Sequence, residues 1–189
     1  MLNYIANELW ETGYHEAKIL AVLIMNKETI AAEDVERFMT DVMSWDLCDH
    51  LCKSLIIKLE DYKQFIYKWC NDNGVYYKRA AYTLIAAAVI HKKDLPMEEI
   101  DEFLYMIKEN SNDNRVHVKK AISWALREIG KRDFECQEKA VLLAQELKES
   151  SDKNMIWVGK DAVKELETLV SVNGRGRLLT SKSKMGRQQ

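Results

Sequence analysis

Arg115-Val116-His117-Val118-Lys119-Lys120-Ala121-Ile122-Ser123-Trp124-Ala125-Leu126-Arg127-Glu128-Ile129-Gly130-Lys131 sets Val118, Ile122, Ala125, Leu126 and Ile129 at intervals of three and four. Residues so spaced share one face only on a helix of 3.6 residues per turn, so this stretch predicts an amphipathic helix with an apolar core stripe. Lys120, Trp124 and Arg127 occupy another side of it. A tryptophan off the core stripe is unusual, because exposing so large a ring forfeits part of the about 2 to 3 kcal/mol its burial contributes. Packing against a neighbouring helix is the alternative account. Glu128 is one turn from Trp124, within reach of Arg127, Lys131 or Arg132 for a surface ion pair.

The same spacing extends in both directions. Helices are expected over residues 2–10, 14–25, 32–43, 45–58, 62–71, 75–91, 97–110, 115–131, 134–149 and 154–170. One proline, seven glycines and no sustained alternation of apolar and polar residues exclude a β-rich fold. The breaks have local causes: Gly13 and Gly74 follow polar helix ends, Pro96 opens the helix after it, and Ser111 to Asn114 supply capping oxygens. Asp61, Asp133 and Asp152 stand where N-caps belong. Short breaks between helices predict antiparallel neighbours, and pairs recurring at about 35 to 45 residues predict an all-α, HEAT-like repeat α-solenoid with a concave face. A globular bundle with the same helices is the competing architecture.

A single helical domain is expected over residues 1–172. Residues 173–189 carry Arg175, Arg177, Lys182, Lys184 and Arg187 without an acid, which predicts a disordered basic tail, either solvated or touching phosphates. The net charge of -2 gives no basic excess, so nucleic-acid binding requires the cations to gather on one surface. Cys48, Cys52, Cys70 and Cys136 form no CxxC pair, and positions i and i+2 diverge on a helix, so Cys48, His50 and Cys52 do not make a zinc site. No metal or cofactor is expected. The longest apolar run, Ala80 to Ile90, is too short to span a bilayer, which predicts a soluble, cytoplasmic protein with no membrane partner.

Pattern breaks mark the candidate site. In Ser44-Trp45-Asp46-Leu47-Cys48-Asp49, Asp46 lies in the first helical turn, where capping accounts for it. Asp49 lies a turn further in, on the face of Trp45, where capping explains less. Tyr76-Tyr77-Lys78-Arg79 opens the most apolar helix, so Arg79 stands either at the mouth of a cleft or simply at the surface. An aromatic wall, a carboxylate and basic side chains are what a nucleic-acid site needs.

Trp45-Asp46-Leu47-Cys48-Asp49, Lys78-Arg79-Ala80-Ala81-Tyr82 and Val118 to Glu128 resemble the signature blocks of the bacterial DNA alkylation repair family, the AlkD-like DNA glycosylases. Leu9-Trp10-Glu11-Thr12-Gly13-Tyr14 and the residues after it, to Ala21, resemble a further block of that family. The resemblance covers roughly residues 4 to 170, in order. It implies a HEAT-like solenoid that binds duplex DNA in its groove and excises N3- and N7-alkylated purines as a monomer, without cofactor. It implies Asp49 as the catalytic carboxylate, Trp45 and Trp124 as the aromatic pair at the lesion's sugar, and Arg79 as the DNA-binding arginine. Arg127 falls on a position expected to face the DNA backbone, with Lys78 and Lys120 as neighbouring basic contacts. Family members usually carry further helices before the Leu9-Trp10 block, so the chain is short at its N-terminal side. A bacterial, nucleoid-associated location when bound follows from the same resemblance. The alternative is a non-catalytic HEAT-like scaffold that binds DNA or a protein partner.

Overall fold

The structure is a computed structural model and describes residues 2–188. Among the described residues it is all-α apart from one short strand pair. The helices are α1 (Leu2–Glu11), α2 (His15–Ile24), α3 (Ala32–Thr40), α4 (Trp45–His50), α5 (Tyr62–Trp69), α6 (Val75–His91), α7 (Met97–Asn110), α8 (Val116–Gly130), α9 (Phe134–Lys148) and α10 (Lys153–Leu166). A helix stands in each segment expected from the periodicity, but that over 45–58 is cut to Trp45–His50 and that over 154–170 stops at Leu166. Where a single domain is expected over residues 1–172, the chain divides within α6 into two compact units, Met1–Ala87 and Ala88–Gln189.

Local chemistry sets the helix ends. Gly13 takes a φ of 76°, the left-handed conformation that ends α1 without a Cβ penalty. Asp133 accepts from Cys136 N–H at 2.8 Å, and Asp152 from Asn154 and Met155 N–H at 2.7 and 3.0 Å, so both cap as expected. Asp61 precedes α5 but makes no capping bond, because its carboxylate is taken by the Gln64 amide instead.

The helix expected over residues 45–58 is interrupted. After α4 the chain widens into a π turn, Leu51–Leu55, then tightens into a 3₁₀ turn, Ile56–Lys58. Leu55 absorbs the change at φ -119°, ψ -68°. Leu51, Cys52, Leu55 and Ile56 stay fully buried through it.

In the first unit α1 packs on α2, and α2 on α4. Trp10 meets Phe38 at 4.6 Å between ring centroids, and its indole N–H donates to Asp41 at 2.8 Å. Trp69 lies between Phe65 and Tyr77 at 4.8 and 5.5 Å. The run Ala80 to Val89 of α6 is buried throughout, as its apolar composition predicts.

In the second unit Ile100, Phe103, Val118, Ile122, Leu126, Val158 and Leu166 form the core. Gly159 brings α10 onto the backbone of α9. The core stripe read from α8 is buried as predicted, from Val118 through Ile129.

The C-terminal residues differ from the expected disordered tail. Leu169–Val170 pairs antiparallel with Leu179–Thr180, β1 with β2, with Leu169 opposite Thr180. Leu178 is buried and its N–H donates to Lys131 O at 2.8 Å. Arg177 donates to Val89 O at 2.8 Å, and to Glu128 O and Oε2 at 2.9 and 2.7 Å. The reason lies in a few residues: Leu178 and Leu179 supply apolar surface to bury, and the distant Glu128 supplies a charge for one of the basic residues.

Candidate functional site

Asp49 is placed by the opening of α4. Ser44 is the N-cap, accepting from Leu47 N–H at 3.4 Å, and Asp46 Oδ1 accepts from the same N–H at 3.0 Å. His15 Nε2 sits 2.8 Å from Asp46 Oδ2 and ties α2 to this turn. The Ser44 hydroxyl, with help from His15 and Leu47 N–H, outweighs desolvation and lowers the Asp46 carboxyl to about 2. Asp46 is thus a structural brace, as the capping account expects.

One turn on, Asp49 points at α6. Arg79 grips its carboxylate in a two-pronged pair, Nε to Oδ1 at 3.0 Å and Nη2 to Oδ2 at 2.9 Å. Thr83 Oγ1 donates to Oδ1 at 3.1 Å, and Lys53 Nζ lies 3.6 Å from Oδ2. Arg79 and Thr83 are four apart on α6, so one helix face presents both donors. The Asp49 side chain keeps 10% of its surface open to solvent, so it is recessed among polar partners and not sealed in the apolar core. Trp45 lies beside it, 53% exposed, with the Arg79 guanidinium 5.8 Å from its ring centroid. The result is a carboxylate of fixed orientation, an exposed indole and two cations. Such a group can stabilise a developing positive charge or orient a water at its open edge.

Of the remaining predicted residues, one belongs to the first unit and three to the second. Lys78 is half-buried at the start of α6. Lys120, Trp124 and Arg127 lie along α8 in the second unit, with Lys120 exposed and Trp124 half-buried. Trp124 Nε1 donates to Glu128 Oε1 at 3.1 Å, and Lys131 Nζ donates to the same oxygen at 2.9 Å. Glu128 is therefore a buried hub and not a surface bridge. Arg127 pairs with Glu165 Oε2 at 2.9 Å, and Lys131 with Glu165 Oε1 at 2.8 Å. Burial pushes the Glu165 carboxyl up, but the Lys131 and Arg127 bonds and charges outweigh it and hold it below its ordinary value.

Thr83, Lys53 and Glu165 are missing from the sequence reading, and Arg177 enters it only as a residue of the basic tail. Thr83 had a signal, a lone hydroxyl one turn from Arg79 in an apolar run; Glu165 and Arg177 had none, since their partners lie far along the chain. The thiols have structural surroundings: Cys48 Sγ donates to Tyr76 O and Cys52 Sγ to Ala80 O, at 3.4 and 3.7 Å. Burial raises the Cys52 thiol well above its ordinary value. Among the described residues no group of three His, Cys, Asp or Glu could hold a metal ion. No described helix is long and apolar enough to cross a membrane.

A family profile described as "DNA alkylation repair enzyme" matches residues 2–166. No curated protein matches. A solved structure described as "a new family of proteins related to the HEAT-like repeat DNA glycosylases with affinity for branched DNA structures" superposes with a TM-score of 0.69. The match has 17% sequence identity and covers 98% of this chain and 73% of that one. At that identity the likeness carries the fold, which is HEAT-like repeat and all-α, and it decides between the two architectures left open by the sequence.

Proposed function

We propose that this chain, which belongs to the DNA alkylation repair enzyme family, is a monofunctional glycosylase that removes N3- and N7-alkylated purines from duplex DNA. The observation that carries the proposal is the recessed Asp49 carboxylate, oriented by Arg79 and Thr83 beside the exposed Trp45. An N3- or N7-alkylpurine is already cationic, so its glycosidic bond needs no acid to protonate the base. The electron pair of the C1′–N9 bond leaves with the base, which departs neutral, and the positive charge passes to the sugar. Asp49 stabilises that oxocarbenium-like sugar and takes a proton from the water whose oxygen bonds to C1′. Trp45 offers its negative ring face to the same charge, and Arg79 supplies a cation for the adjoining phosphate. Lys78, Lys120 and Trp124 are proposed as further DNA contacts, and Arg127 as one that exchanges Glu165 for a phosphate. The protein is proposed to act as a monomer.

Release of 7-methylguanine or 3-methyladenine from methylated duplex DNA tests this reading, with Asp49→Asn as the comparison. The expected result is release by the unmodified protein and its loss in the variant, with DNA binding retained. Folded protein that releases neither base refutes the enzyme.

A second reading is supported by a specific observation. Both Asp49 oxygens are already engaged by Arg79, and the related solved protein is described as having affinity for branched DNA. On this reading the chain is a DNA-binding scaffold in which the Asp49–Arg79 pair is structural. Tight binding to a four-way junction over linear duplex, without base release, is the outcome that favours it.

A further inference from the structure

We infer that the exposed face of α10, joined by Lys119 and Lys120 of α8, binds the phosphate backbone of DNA. The inference rests on the DNA-binding reading above and draws on a helix to which that reading gives no DNA contact.

Spacing makes the face. Lys153, Trp157, Lys160 and Lys164 stand at intervals of four, three and four, so one side of α10 carries them all. The three lysines are exposed and the indole is half-buried. At about 1.5 Å per residue, Lys153 to Lys164 spans about 16 Å, close to five steps of a DNA strand at about 3.4 Å each.

The acids of the helix are engaged elsewhere. Asp161 accepts from Ser123 Oγ at 2.7 Å, and Glu165 holds Arg127 and Lys131, so both are drawn to α8. Asp152 caps the helix, and Glu167, just past its end, accepts from Gln145 of α9. Among the described residues no acid pairs with Lys120, Lys153, Lys160 or Lys164. A chain of net charge -2 thus gathers cations without counter-charges on one surface, which is what nucleic-acid binding requires of it.

The arrangement also opposes the helix's own electrostatics. Lys160 and Lys164 are like charges one turn apart, and Lys153 sets a positive charge in a first turn that holds no acid besides the cap. Both features cost stability in the free protein, and an anion across the face relieves both.

Trp157 fixes a further cation at the edge of the face. Lys119 Nζ lies 5.0 Å from its ring centroid and 3.5 Å from Asn154 Oδ1. A ring and a neutral amide hold that ammonium against α10 without cancelling its charge. With that ring face occupied by a lysine, the surface suits phosphate oxygens rather than a stacked base.

The test is the salt dependence of binding to a short labelled duplex by fluorescence anisotropy, on the full chain. The variants are Lys160→Gln/Lys164→Gln and the same pair with Lys153→Gln. Lys148→Gln/Lys184→Gln removes as much charge as the pair from exposed positions outside the face. All four positions of the two pairs are exposed, so folding is expected to hold, and far-ultraviolet circular dichroism checks it. The slope of log K against log salt is expected to fall in magnitude by about two for the α10 pair and about three for the triple variant. The control pair is expected to leave the slope as it is, and inorganic phosphate at matched ionic strength to leave duplex affinity as it is. Equal falls in the α10 and control pairs, or unchanged slopes in the α10 variants while the unmodified protein binds duplex, overturn the face alone. Displacement of duplex by inorganic phosphate overturns the backbone assignment in favour of a free anion. No duplex binding by the unmodified protein overturns the DNA-binding reading, and this surface with it.

Discussion

Removing one partner of the Asp49–Arg79 pair leaves the other recessed without its counter-charge. Side-chain exposures of 10% and 8% mean that water cannot replace what is lost. Arg79→Met removes both prongs and strands the carboxylate with Thr83 and a lysine 3.6 Å away, at an expected cost of about 3 kcal/mol. For a chain of this length that lowers the Tm by about 6 to 12 °C. Asp49→Asn keeps an oxygen able to accept from Arg79 and from Thr83, and is expected to cost about 1 to 2 kcal/mol. The double variant removes both charges together, so it falls short of the sum by a coupling of at least about 1.5 kcal/mol. Urea unfolding followed by circular dichroism measures all four proteins. Costs that add to within about 0.5 kcal/mol refute the reasoning, because they mean that the pair is screened as a surface pair is.

Further outcomes follow from other contacts. Asp46 is lowered to about 2 from 3.8, so its contribution is fully present above pH 3.8 and fades as pH falls towards 2. The stability gap between the wild type and Asp46→Asn, measured by chemical unfolding, is expected to close across that window, and a pH-independent gap contradicts it. A Cβ at Gly159 would stand 2.5 Å from Ala144 O and 2.6 Å from Lys148 N. Gly159→Ala is therefore expected to force α9 and α10 apart and to destabilise by about 1 to 3 kcal/mol in urea unfolding. Trp45→Ala removes an exposed ring, so its effect on stability stays within about 0.5 kcal/mol while base release, or duplex affinity, falls.

What the sequence disclosed depended on how local the cause was. The helices were legible because apolar spacing is local, and Trp45 with Asp49 was legible because i and i+4 share a helix face. Arg79 could be placed at a helix mouth, but its choice of Asp49 over solvent depends on a residue thirty positions away. Arg127 was read as facing outward, yet Glu165, far along the chain, claims its guanidinium. Composition misread the C-terminal segment, since five cations outweighed the two leucines and the one distant glutamate that fix it. The π turn left no sequence signal, because it changes backbone winding without requiring a special residue type.

That widened turn has a consequence for evolution of the site. Each residue advances an α-helix by about 100°, so one surplus residue in Leu51–Leu55 resets the angular phase between the Asp49 end and the anchored Ile56–Ile57 end. A single-codon deletion there would restore uniform winding while swinging the carboxylate away from its guanidinium. Insertions and deletions in this segment are thus far less tolerable than substitutions.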